Sequence, residues 1–222
     1  MSTRSTLAIP LLLATLATPV SAGVVRGIVH VPAMVSPETN FNPYAGHATS
    51  MPGHMHVKRG LVTDAVLSIA SVPAAVDSTL PAPAGRAQQA QRDQSFVPRV
   101  VAIPLHASVD FPNEDPIYHN VFSVSPVKRF DLGKYPRGQS RTLRFDRAGV
   151  VNVYCDIHSD MAGFIVVLPN RAFTRPGEDG AYRLPELPAG HYVLRWWHPD
   201  FPPGEREIDV PADGTTVVDV TF

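Results

Sequence analysis

Hydrophobic and polar positions alternate over short runs along this chain, and outside the N-terminus no run holds a helical period for long. The signal is carried by VVRGIVHV (24–31), DAVLSIA (64–70), RVVAIPL (99–105), VVNVYC (150–155), GFIVVL (163–168), HYVLRWW (191–197) and TTVVDVTF (215–222). These runs are rich in β-branched and aromatic residues and are bounded by turn formers, which predicts strands. Short strands at close spacing predict a sandwich or barrel. The 23 prolines, which interrupt the chain at short intervals, fit the same expectation of an all-β fold.

Two stretches break the pattern. Ser78–Gln94, STLPAPAGRAQQAQRDQ, is rich in Pro, Ala and Gln and reads as a linker or long loop. Pro169–Gly180, PNRAFTRPGEDG, reads as a polar turn region. The chain therefore divides into a leader at 1–22, N-terminal strands at 23–80, a linker at 81–94, a segment holding the sole cysteine at 95–168, and C-terminal strands at 169–222.

The leader has a positive charge at Arg4, an apolar run from Leu7 to Ala17, and the small residues Ser21 and Ala22. That three-part pattern predicts export to the periplasm or medium, with cleavage after Ala22. The run is short for a membrane span, and no later segment is apolar enough for one. Net charge is −1. With no basic face or polybasic segment, the sequence argues against nucleic-acid or anionic-membrane partners.

Exported proteins use cysteines mostly in pairs, yet this chain has only Cys155. A lone thiol in that setting is an inert buried group, an intermolecular bridge, or a reactive or metal-bound group. Metal binding protects it as a thiolate. In VYCDIHSDM (153–161), Cys155, His158 and Met161 stand three residues apart. The turn formers Asp156, Ser159 and Asp160 suit a loop that would bring all three side chains together. One Cys, two His and a weak axial Met form the blue-copper combination, whereas a thioether is a poor zinc ligand.

Eight further histidines compete for the remaining position: His30, His47, His54, His56, His106, His119, His191 and His198. Spacing alone does not choose among them. His119 has the best setting, after the turn-rich FPNEDPIY and at the start of the β-like HNVFSV. Asn120 is expected to hydrogen-bond across the site and join the two ligand segments. His106 reads as a strand-surface residue.

FPNEDPIYHNVFSV together with FDRAGVVNVYCDIHSDMAGFIVV resembles the cupredoxin family, the plastocyanin and amicyanin group. Gly149, Cys155, His158, Met161, Gly163 and Ile165 fit the family pattern, while valines at 151 and 153 replace its tyrosines. The resemblance covers roughly Phe96 to Leu168. It implies a Greek-key β-sandwich and a copper site cycling between Cu+ and Cu2+, with His119, Cys155, His158 and Met161 as ligands. Asp156 and Asp160, where the family often has a proline and neutral residues, are expected to favour Cu2+.

The tail RPGEDGAYRLPELPAGHYVLRWWHPDF resembles the carboxypeptidase regulatory-like family, small β-sandwiches without catalysis. Asp179, Gly180, Tyr182, Leu184, Leu187, Gly190, Tyr192 and Leu194 carry that likeness. The combination resembles proteins labelled methylamine utilization proteins. The tail is short for a complete sandwich, so the N-terminal strands are expected to belong to it, with the copper segment inserted. In that case Ile28 and Val66 pack against Leu184 and Val193. If those strands instead join the copper segment, they pack against Val101 and Val166. Of Trp196 and Trp197, one is expected in a core and the other at a partner surface or between domains.

GHATSMPGHMHVKRG (46–60) gathers His47, Met51, His54, Met55 and His56, a possible accessory metal tract that also reads as a polar loop. Two functions follow. The first is an exported electron carrier serving a redox protein or enzyme such as a cytochrome or dehydrogenase. The second is a copper chaperone or storage protein. A copper enzyme is disfavoured, because no His-x-His cluster stands on a strand frame.

Overall fold

A computed structural model describes residues 22–32 and 61–222. The leader up to residue 21 and the tract holding His47, Met51, His54, Met55 and His56 lie outside the described residues. The described chain is all-β, with one short α-helix, Ala74–Thr79, and one 3-10 turn, Val62–Asp64. No helix among the described residues is long and apolar enough to cross a membrane.

The strands build two cores. Around the first, Ala22–His30 pairs antiparallel with Ala181–Arg183 and Leu187–Pro188, and parallel with Gly214–Val217 and Val220–Thr221. Facing it is a sheet in the order Phe173–Thr174, Val66–Ile69, Gly190–His198, Phe201–Val210. Val25, Val29, Leu67, Ile69, Leu184 and Leu194 fill the space between. This core takes its residues from both ends of the chain. The second core takes its residues from the stretch between them. One of its sheets runs Val100–Pro104, Ala162–Leu168, Gly149–Tyr154, His119–Ser123, Phe130–Tyr135, and the other runs Ser140–Arg144, Ser108–Pro112, Ala87–Gln88. Phe111, Val121, Val151, Val153, Ile165 and Val167 lie between those sheets.

Neither Ile28 nor Val66 lies in the core that holds Leu184, and Val66 instead meets Val166, the contact expected if the N-terminal strands join the copper segment. Ile28 is 43% exposed, and Val66 packs with Val100, Val166 and Leu168 in a cluster joining the two units. The reason is the period of two along a strand. Leu67 and Ile69 enter the first core while Val66 points out of it. Ala162–Leu168 alternates likewise, Ile165 and Val167 to one side and Val166 and Leu168 to the other. A strand covered on both faces reads as an unbroken apolar run, which accounts for GFIVVL. Trp196 packs on the first core, and Trp197 sits in the joining cluster with its ring 5.7 Å from Phe164.

Arg99 secures the same junction. It donates to Asp200 through two bonds of 2.7 Å and to Asp64 at 3.1 Å, and its guanidinium lies 5.4 Å over the Phe164 ring.

The linker expected at 81–94 is not one in its second half. Ala87–Gln88 runs parallel to Ser108–Pro112, and Ala90–Arg92 forms a hairpin with Ser95–Val97. Gln89 and Gln91 are fully buried. The Gln89 amide donates to the carbonyls of Pro98 at 3.2 Å and Arg99 at 3.1 Å, and Gln91 donates to the Tyr135 hydroxyl. A composition of Ala and Gln suggests solvation, whereas these side chains are buried and donate through their amide N–H groups, with Gln89 Oε1 and Gln91 Oε1 left without a partner.

Candidate metal centre

Two segments meet at one end of the second unit. The first is Phe111–His119, where Asn113 shapes the approach. Its amide donates to the carbonyls of Ile117 and Tyr135, both at 2.9 Å, and its Oδ1 accepts the Asp115 backbone N–H at 2.9 Å. This side-chain turn delivers His119 to the start of its strand. The second is the loop after Gly149–Tyr154. The Met161 N–H donates to the His158 carbonyl at 3.1 Å, and the Cys155 N–H donates to the Met161 carbonyl at 3.3 Å. The loop therefore closes on itself. The two strands meet at the pair Tyr154 and Phe122, whose rings lie 5.8 Å apart.

Cys155 Sγ stands 3.8 Å from His119 Nδ1 and 3.8 Å from His158 Nδ1. The three ligand atoms lie within 4.8 Å of one another, the one such group of three among the described residues. Cys155 and His119 are buried, and His158 is half-buried at the rim. Met161 is 1% exposed and belongs to the same core as Cys155. Two imidazoles and a cysteine sulfur held in this way form a soft, preformed donor set. Burial pushes the His158 ring below the ordinary histidine range; His119 adds to this and Asp115 opposes it. His158 therefore offers an unprotonated ligand nitrogen at neutral pH.

His119 has a partner that the sequence reading did not assign. Its Nε2 lies 2.7 Å from Asp115 Oδ2. An ionised carboxylate only accepts, so a ring proton sits on Nε2, and Nδ1 is the nitrogen that faces Cys155. Burial raises the Asp115 carboxyl pKa, but the Gln94 backbone N–H, the His119 ring and the Asp93 backbone N–H together hold it below the usual range. An acidic residue four places before His119 is visible in the sequence. The turn that fixes it is not.

Asn120 does not bridge the ligand segments. Its amide donates to Asp131 Oδ1 at 2.6 Å, and its own Oδ1 is buried with no hydrogen-bond partner. The register shift between Asn120 and Phe122 accompanies this pairing with the strand Phe130–Tyr135, away from the Cys155 loop. Asp156 pairs with Lys134 at 3.3 Å, which offsets its charge. His106 lies apart and exposed, with φ 69° and its ring 3.3 Å from Asp146.

No protein-family model matches the chain, and no curated protein does. Solved structures resemble parts of it. A copper-containing nitrite reductase from Thermus scotoductus is 25% identical over 43% of this chain at a TM-score of 0.36, and the match spans 27% of that enzyme. A purple cupredoxin from Nitrosopumilus maritimus is 22% identical over 36% of this chain and 98% of its own, at a TM-score of 0.35. A variant of amicyanin in its reduced Cu(I) form is 20% identical over 46% of this chain and 97% of its own, at a TM-score of 0.36.

Proposed function

We propose that this chain is an exported copper protein of the cupredoxin type that carries single electrons. The observation that carries the reading is the convergence of His119 Nδ1, His158 Nδ1 and Cys155 Sγ within 4.8 Å. In the proposal these three hold copper, and the buried Met161 thioether supplies the weak axial ligand. Copper supplies one-electron chemistry there, between Cu+ and Cu2+. The donors suit both states: thiolate and thioether are soft, and imidazole serves either. Strand frames on both sides of the loop keep the donors in place through the change.

His158 is the ligand at the rim. Ile157 beside it in the chain is 44% exposed, and Ile117 and Tyr118 before His119 are 39% and 58% exposed. Apolar side chains at that end suit transient contact with an exported redox partner, such as a cytochrome or dehydrogenase. The first core fits a regulatory-like β-sandwich that is interrupted by the copper unit and serves structure or binding.

The test separates carrier from chaperone. Copper-loaded protein is cycled with a mild reductant and oxidant in the presence of a competing chelator. A carrier keeps its copper through repeated cycles. Loss of metal to the chelator on the first reduction contradicts the carrier reading and supports copper delivery.

A further inference from the structure

The turn of the hairpin formed by Ala90–Arg92 and Ser95–Val97 consists of Asp93 and Gln94, at φ 52° and 51°. Two successive left-handed residues of this kind aim their N–H groups to the same side and make a small anion cradle. The anion is Asp115. Its Oδ1 accepts the Asp93 N–H at 2.6 Å, and its Oδ2 accepts the Gln94 N–H at 2.9 Å. Oδ2 also receives the His119 ring at 2.7 Å. Asp115 is 5% exposed and His119 is fully buried, so water does not compete for these bonds.

We propose that Asp115, held by the Asp93–Gln94 turn, is the positioning residue of the metal centre. It fixes His119 with the proton on Nε2 and Nδ1 toward Cys155, and its charge makes the ring a stronger donor to a metal ion. This rests on the reading of His119, Cys155 and His158 as ligands. It adds that a hairpin outside both ligand segments sets the properties of the site. Carboxylates on a ligating histidine act in this way in general, and their loss costs about 10–100-fold in metal affinity.

The test uses the full chain with two probes. Zn2+ affinity, from chelator competition, reads the positioning without any redox chemistry. The reduction potential of the copper-loaded protein reads the charge. Asp115→Ala is expected to lower Zn2+ affinity by about 10–100-fold. Asp115→Asn, which keeps an acceptor oxygen, is expected to lose less affinity and to raise the potential. Asp146→Asn, an equal charge change at an exposed position, should move neither. If Asp115→Ala does not fold, Asp115→Asn decides. The inference is overturned if folded Asp115→Asn keeps both the Zn2+ affinity and the potential of the parent protein. Should copper fail to give a redox-active site, the function proposed above falls, while the Zn2+ comparison still tests the positioning.

Discussion

The Met161 thioether and the Asp156 carboxylate are the two side chains of the ligand loop whose replacement separates tuning from binding. Met161 is buried beside Cys155 in the second core, and a swap to leucine conserves volume, costing less than about 1.5 kcal/mol. Met161→Leu should therefore leave metal-free stability nearly unchanged, keep the metal and raise the reduction potential; cyclic voltammetry with a denaturation curve checks both. An unchanged potential would remove Met161 from the axial role. Asp156→Asn should raise the potential at low salt, with the shift shrinking as salt rises. Asp156 and Lys134 are both exposed, and exposed charges are screened. The proposed ligands Cys155, His158 and Met161 are easy to single out in the sequence because they are local and each is chemically distinctive. Asp115 was in view at four residues before His119, but its support comes from Asp93 and Gln94, 22 and 21 residues away. No local pattern announces a contact made through backbone N–H groups. Asn120 is misleading for a related reason, since its amide is taken by Asp131 on the neighbouring strand, 11 residues away.

At the scale of elements, the hairpin and the strand after the ligand loop fit each other closely. A Cβ on Gly163 would lie 2.8 Å from Gln89 Nε2 and 2.9 Å from Phe96 Cβ. Gly163→Ala should cost about 1–3 kcal/mol, the usual range for forced overpacking, read as a lower denaturation midpoint. A variant as stable as the parent would show that the hairpin yields easily. The strands themselves were legible from their period of two. The hairpin and the residue that leads into it were hidden, because Gln91 and Gln89 give an apparently solvated composition to a buried segment. The turn after Gly190–His198 holds a second test. His198 is 1% exposed, its Nε2 lies 3.0 Å from the Leu61 carbonyl, and its Nδ1 accepts the Asp200 N–H at 3.1 Å. Burial depresses its pKa, with Arg99 acting the same way and the Leu61 carbonyl, Asp200 and Asp64 opposing. A depressed folded pKa gives stability that is present above the unfolded value, about 6.5, and lost as pH falls through the folded one. The unfolding temperature should drop between about pH 7.5 and 5.5, and His198→Gln should flatten that drop. Equal slopes in both proteins would assign the pH effect elsewhere.

For the whole molecule, the junction between the two units is the feature that composition and periodicity predicted least. Val66 packs with Val166, the contact expected if the N-terminal strands join the copper segment, because each lies on the outward face of its strand. Arg99 and its carboxylate partners are largely covered, at 12% exposed for Arg99 and 4% and 11% for Asp64 and Asp200. Removing the guanidinium takes a buried opposite charge away from both carboxylates, so Arg99→Ala should destabilise the protein by about 3–5 kcal/mol. Chemical denaturation measures this, and a loss below 1 kcal/mol, on the order of an exposed pair, would show the junction to be loose. The role proposed for the molecule depends on one property of the unit beyond that junction, a thiolate bound to a redox-active metal. The most direct measurement is the visible absorption spectrum of the protein titrated with Cu2+, alongside Cys155→Ser. The account predicts an intense thiolate-to-copper band that saturates at one equivalent, bleaches on reduction, returns on oxidation and is absent from Cys155→Ser. A colourless copper-loaded protein, or a band that survives in Cys155→Ser, would contradict it.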